Sequence, residues 1–156
     1  DLFAAALLQD MAVPLLAKEL PEDYTQLLDE RAEGEKRLSD LEQERFGWTH
    51  ADAAAEMSRS WSLPEEFAAL IEAHADLDEA AAKASTEPGP FAVGLSSLLH
   101  GRRRFLDACE KAGVTGQLEE IFAAVDQQFQ DFGPVLKVST SGKALVEYLH
   151  EEAAAV

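Results

Sequence analysis

Apolar positions recur every three or four residues along most of the chain, the spacing of helices that bury one face. Leu2, Phe3, Ala6, Leu7, Met11, Leu15 and Leu16 leave the first stretch little polar face, so residues 2–20 read as a largely buried helix. Pro14 predicts a kink or break within it, because it removes a backbone donor. Pro21 suits the first turn of a second helix, striped by Tyr24, Leu27, Leu28 and Arg31, and Gly34 predicts its end. Ser39 and Glu42 stand at capping-box spacing before a short helix that Gly47 closes. Thr49 and Asp52 mark a further cap. His50, Ala54, Met57 and Trp61 then fall on one helical face, which predicts Trp61 as a core anchor between two helices. Ser62, Pro64 and Glu65 read as the next start signal, followed by a face of Phe67, Leu70, Ile71 and His74.

Residues 85–90, Ser-Thr-Glu-Pro-Gly-Pro, are the clearest loop. Beyond it, Phe91, Leu95, Leu98, Leu99, Arg102, Leu106 and Cys109 lie on or near one side of a helix, which ends in a turn at Gly113 to Gly116. Leu118, Ile121, Phe122, Val125 and Phe129 define another helix, with a break predicted at Gly133-Pro134. Leu145, Tyr148 and Leu149 mark a last one. Residues 135–140 could extend, but one isolated strand has no partner. The expected fold class is therefore all-α, a multi-helix bundle of roughly six to nine helices without a sheet.

Composition narrows the function. Thirty acidic residues against thirteen basic ones give a formal net charge of −17 among 156 residues. A nucleic-acid backbone would be repelled by such a field. The one dense basic cluster, Arg102, Arg103 and Arg104, is too small to reverse it, so no direct nucleic-acid binding is expected and a basic protein partner suits the surface better. No apolar run reaches the roughly 18 residues of a membrane span. A single cysteine, Cys109, excludes an internal disulfide and fits a reducing cytoplasm; its helical spacing from Phe105 and Leu106 makes it a small core residue.

Imidazoles on buried faces beside carboxylates raise the question of a metal, which would lower the pKa of a bound water. His50 and His74 sit on the apolar faces of consecutive helices, and Asp10 lies in the first. Three helices packed around one core would bring these side chains together. Each also has a plainer reading, as a core residue satisfied by a hydrogen bond.

Residues 3–12, Phe-Ala-Ala-Ala-Leu-Leu-Gln-Asp-Met-Ala, resemble the "GLLHDIG" helix of the HD superfamily. Phe46-Gly47-Trp48-Thr49-His50, Ala54, Trp61-Ser62-Leu63-Pro64, Ile71 and His74 resemble the signature of the HDOD domain, a bacterial signalling domain related to the HD and HD-GYP phosphohydrolases. The resemblance implies that residues 1–87 are the C-terminal part, about half, of an HDOD-like domain with an HD-like bundle. Residues 88–156 then complete the bundle or form a helical extension. It also implies a decayed hydrolytic site. Gln9 stands where the histidine of the His-Asp pair is found, His74-Ala75 keeps one of two histidines, and no acidic residue lies between Glu87 and Asp107 to supply the further aspartate.

Gln9, Asp10, His50 and His74 are thus candidates for a vestigial site, with no catalytic residue, no cofactor and no bound metal expected. The function implied is a non-catalytic regulatory module of bacterial signal transduction, binding a protein or small ligand. Its partner would be another protein, a signalling domain fused in the full-length chain, or a second copy in a homodimer. The alternative is a metal-dependent phosphohydrolase acting on nucleotides or cyclic dinucleotides.

Overall fold

The computed structural model describes residues 2–33, 36–99, 101–136, 142 and 144–150, without the side chains of Glu33, Arg102, Phe129, Tyr148 and residues 132–136. Gly34 and residues 137–140 lie outside them, and with them the predicted glycine stop and most of the candidate extended segment. Among the described residues the chain is all-α. In order come α1 (Leu2–Leu8), α2 (Val13–Glu19), α3 (Pro21–Glu33), α4 (Leu38–Phe46), α5 (His50–Ser60), α6 (Glu65–Ala73), α7 (Leu77–Ala82), α8 (Pro88–Ser96), α9 (Arg102–Lys111), a 3-10 turn (Thr115–Gln117), α10 (Leu118–Leu136) and α11 (Leu145–His150). There are more helices than the spacing predicted, because two apolar segments that read as single helices are each split and α7 was not read from the spacing. The chain forms two compact units, residues 1–100 and 101–156.

In the first unit the break falls at residues 9–12, where Met11 N–H donates to the Leu8 carbonyl and Val13 N–H to the Asp10 carbonyl. Pro14 is therefore not a kink inside a helix. It occupies the first turn of α2, where its missing N–H costs no bond. Nor is the first stretch largely buried: Phe3 is 82% and Leu7 71% exposed, and Ala5 is the fully buried residue of α1.

Two apolar clusters hold this unit. Ala5, Ala12, Ala54, Ile71 and Val93 form one, joining α1, α5, α6 and α8. Tyr24, Leu27, Leu38 and Leu41 form the other, joining α3 and α4. Leu16 of α2 packs against both. The expected loop at residues 85–90 is shorter than its composition suggests, since Pro88 opens α8 and Pro90 lies in its first turn. Helix α8 packs on α1, α6 and α7. At Gly94 a Cβ would come within 2.9 Å of Leu77 Cδ1 and 3.5 Å of the His74 carbonyl oxygen, so glycine permits the close approach to the end of α6.

Helix ends correct several expectations. Ser39 does not cap α4. It lies inside the helix, buried, its hydroxyl without a hydrogen-bond partner, while Asp40 accepts from the N–H of Arg37 at 3.1 Å. Thr49 and Asp52 do form their cap: Asp52 N–H donates to Thr49 Oγ1 at 3.3 Å, and Thr49 N–H to Asp52 Oδ2 at 2.7 Å. Ser62 is no cap for α6, whose N-cap is Pro64. It ends α5 instead, at φ 60°, with its N–H on the Arg59 carbonyl and the Leu63 N–H on the Ser58 carbonyl. That is a Schellman closure with serine where glycine is usual. Trp61 is the cap residue of this closure, beyond the helical phase that predicted it, and it is 58% exposed rather than an anchor.

The second unit contains α9, the 3-10 turn, α10 and α11. The helix expected through residues 91–109 is interrupted at Gly101, the N-cap of α9. Phe105 and Phe122 pack with ring centroids 5.4 Å apart, and Cys109 is fully buried as predicted. Burial pushes its thiol up to about 11, unsuited to a nucleophile. Helix α10 runs through Gly133-Pro134 instead of breaking there. So near the C-terminus a proline removes only one bond of the ladder. Asp126 of α10 accepts from the N–H groups of Leu145 and Val146 at 2.9 and 3.2 Å, fixing the start of α11.

The packing predicts unequal responses to truncation. Trp61→Ala will change stability by no more than about 0.5 kcal/mol, as for an ordinary surface site. Ile71→Ala, at a fully buried position, will cost about 2–5 kcal/mol. Urea denaturation of the two variants measures both. A large loss for Trp61→Ala would restore the anchor placement.

Candidate functional site

The predicted candidates meet at helix ends. Asp10 lies in the turn between α1 and α2, His50 is the first residue of α5, and His74 caps the C-terminus of α6. One donor atom from each lies within 4.8 Å of the others. His50 Nε2 is 3.2 Å from Asp10 Oδ1 and 3.1 Å from His74 Nε2, and His74 Nε2 is 3.7 Å from Asp10 Oδ1. Both imidazoles are buried, whereas the Asp10 side chain is 61% exposed at the edge of the cluster. Asp10 lies in a turn with its side chain largely open to water, so its charge is only partly desolvated.

The far nitrogens of the rings fix their protonation. His74 Nδ1 faces the Ile71 carbonyl oxygen, which can only accept, so Nδ1 carries a proton. His50 Nδ1 lies 2.6 Å from Glu42 Oε2 and donates to it. In neutral rings the lone pairs are therefore on the two Nε2 atoms, which face each other and the Asp10 carboxylate.

Glu42 is the residue the spacing misassigned. It is fully buried and accepts from the Tyr24 hydroxyl, the His50 backbone N–H at 2.7 Å and His50 Nδ1. Capping-box spacing from Ser39 had assigned it to a helix cap. Its place one turn after Leu38, on the buried side of α4, was the available signal. The same hydrogen bond raises the Tyr24 pKa far above its usual range, burial being the larger cause. Arg37 was also missed. Its guanidinium donates to the carbonyls of His74 and Ala75, both at 2.8 Å, holding the end of α6 where His74 is placed.

Gln9 does not join the cluster through a shown contact. It is buried, its Nε2 donates to Ser96 Oγ at 3.2 Å, and its Oε1 has no hydrogen-bond partner. Helix α8 offers no carboxylate, its residues being Pro-Gly-Pro-Phe-Ala-Val-Gly-Leu-Ser. Two imidazole nitrogens and one carboxylate oxygen, with both rings oriented by hydrogen bonds behind them, form a donor set suited to zinc or ferrous iron. Neither Gln9 nor α8 adds a further donor to the set.

The family model of the HDOD domain matches residues 1–77. The match includes Gln9, Asp10, His50 and His74 and supports the HDOD likeness of that stretch. It lies over the N-terminal part of the chain, and so does not support the finer expectation of the domain's C-terminal half. No curated protein and no solved structure matches the chain.

The charges at the cluster give stability a pH dependence in metal-free protein. Burial alone would lower the His50 pKa, but hydrogen bonds to Asp10 and Glu42, with the charges of both, push it up to about 9. The Asp10 carboxyl is held well below its usual range by the neighbouring His50 imidazole at 3.2 Å and then that of His74, against the opposing effect of desolvation. The folded chain thus holds a proton on His50 more tightly than an unfolded chain with the ordinary value of 6.5. The stability this contributes is complete below about pH 6.5 and is lost as pH rises through about 9. Urea denaturation across this window will show the decline, and His50→Gln will flatten it. A decline unchanged in His50→Gln would assign it to other groups.

Proposed function

We propose that residues 1–100 act as a non-catalytic regulatory module of bacterial signal transduction, of the HDOD type, which binds a protein or small ligand in the cytoplasm. The observation that supports this most is the incomplete donor set. Asp10, His50 and His74 converge, but Gln9 is engaged with Ser96 and α8 supplies no carboxylate. The HD-type hydrolases that the motifs resemble use a His-Asp pair and a further aspartate. Residues 101–156 are then a C-terminal extension.

The partner favoured by charge is a basic protein surface, whether a separate protein, a domain fused in the full-length chain or another face of a second copy. With a net charge of −17, direct nucleic-acid binding is disfavoured. Phe3 and Leu7, one turn apart on α1 and both exposed, give such a partner an apolar contact. The second reading, a metal-dependent phosphohydrolase, draws on the same convergence of two imidazoles and a carboxylate, which can activate a water on a metal.

Incubation with Mn2+, Fe2+ or Zn2+ and a panel of phosphomonoesters, nucleotides and cyclic dinucleotides separates the two. No turnover above the metal-only control is expected. Hydrolysis by the wild type that Asp10→Asn abolishes would establish the second reading in place of the first.

A further inference from the structure

Of the apolar side chains that the first unit leaves in water, Trp61 is the largest, 58% exposed at the corner between α5 and α6. The backbone holds it there. Trp61 N–H donates to the Met57 carbonyl at 3.0 Å, Ser62 N–H to that of Arg59 at 2.9 Å and Leu63 N–H to that of Ser58 at 3.0 Å. Left-handed Ser62 turns the chain out of α5, and Pro64, the N-cap of α6, fixes the next φ. An indole on a corner bonded in this way loses little backbone freedom when a partner covers it, a condition that suits tryptophan as an interface anchor. The other tryptophan is used internally: Trp48 is partly buried, its ring stacked 5.2 Å from that of Phe46.

The charges at the corner decide what kind of partner fits. Between His50 and Ala75 the chain carries five carboxylates, Asp52, Glu56, Glu65, Glu66 and Glu72, and a single arginine or lysine, Arg59. That arginine is already engaged. Its Nε donates to both oxygens of Glu65 at 3.1 Å and its Nη2 to Glu72 at 2.8 Å, while Nη1 lies 4.0 Å from Glu56. Three carboxylates thus share one guanidinium. Trp61 stands two residues after Arg59 and four before Glu65, so an exposed indole and an excess of negative charge occupy one corner. An apolar partner would cover the indole and strip water from the carboxylates without replacing it. A cation is attracted both by the carboxylates and by the face of the indole.

We infer that the α5–α6 corner around Trp61 is the docking surface for a basic segment of a protein partner, with an arginine stacked on the indole and further basic residues paired with Glu56, Glu65 and Glu72. The inference deepens the protein-binding role proposed above and rests on it for the existence of a partner. Arginine suits the corner better than lysine, because its planar guanidinium stacks on an aromatic face and donates to a carboxylate at the same time.

The probe is a short labelled peptide of alternating arginine and serine, titrated with the full chain and followed by fluorescence anisotropy. Saturable binding that weakens with added salt is expected. Trp61→Ala, which leaves the net charge unchanged, should weaken it by about tenfold or more, and Trp61→Phe by less. The same peptide with lysine for arginine should bind the wild type more weakly. Affinity unchanged in Trp61→Ala would overturn the corner as the site, because attraction to the acidic surface at large survives that change. If Phe3→Ser with Leu7→Ser then removed binding, the protein-binding reading would stand and this location would fall. No saturable binding at low salt would overturn the basic partner itself. Self-association of the chain in sedimentation, lost in Trp61→Ala, would make a second copy the occupant and overturn the partner chemistry. Hydrolytic turnover in the metal assay above would count against the regulatory module, whereas a Trp61-dependent affinity would still uphold the surface.

Discussion

An ionised carboxylate removed from water costs several kcal/mol unless donors surround it. Glu42 is fully buried and has three donors within reach: the Tyr24 hydroxyl from α3, and the backbone N–H and Nδ1 of His50 from α5. Helices α3, α4 and α5 must keep their relative positions for that arrangement to persist. The same contacts decide which nitrogen of His50 is protonated, and hence what faces Asp10 and His74. A fold-level constraint and a site-level one are thus held by one side chain, and neither can relax without the other.

The site is assembled from helix ends. Backbone groups there lack intrahelical partners, and this chain satisfies them with side chains from elsewhere. Arg37 reaches the carbonyls at the end of α6, Glu42 takes the first N–H of α5, and Asp52 and Thr49 close the remainder of that N-terminus. Gly94 lets α8 approach the same end of α6 from another side. Residues that look like separate capping details together fix two histidine rings within hydrogen-bond distance of each other.

How much of this the sequence disclosed follows from the kind of signal involved. Helical spacing is local, so the all-α class was legible, as were the Thr49–Asp52 cap, buried Cys109 and the faces bearing His50 and His74. Spacing extrapolates poorly past a helix end, which is why Trp61 was placed in the core although α5 stops at Ser60 and the chain turns at Ser62. It also says nothing of which buried polar groups find each other across helices. Glu42 matched a capping pattern and was spent on it, and Arg37 carried no pattern at all. The candidate set Asp10, His50 and His74 was raised by imidazoles on buried helical faces near a carboxylate, and the motif resemblance added Gln9 and the long-range pairing that periodicity lacks.

Gln9 sits next to the cluster in sequence and is bonded elsewhere. Its amide is held by Ser96 of α8, and the backbone turn at residues 9–12 presents Asp10. The donors that remain are kept by groups with structural duties of their own: Glu42 for His50, the α6 carbonyl and Arg37 for His74. Losing either histidine would leave a buried hydrogen-bond partner unsatisfied, at a cost of about 1–3 kcal/mol. Physical stability alone is therefore enough to hold two imidazoles in place beside a carboxylate, whatever the cluster is used for.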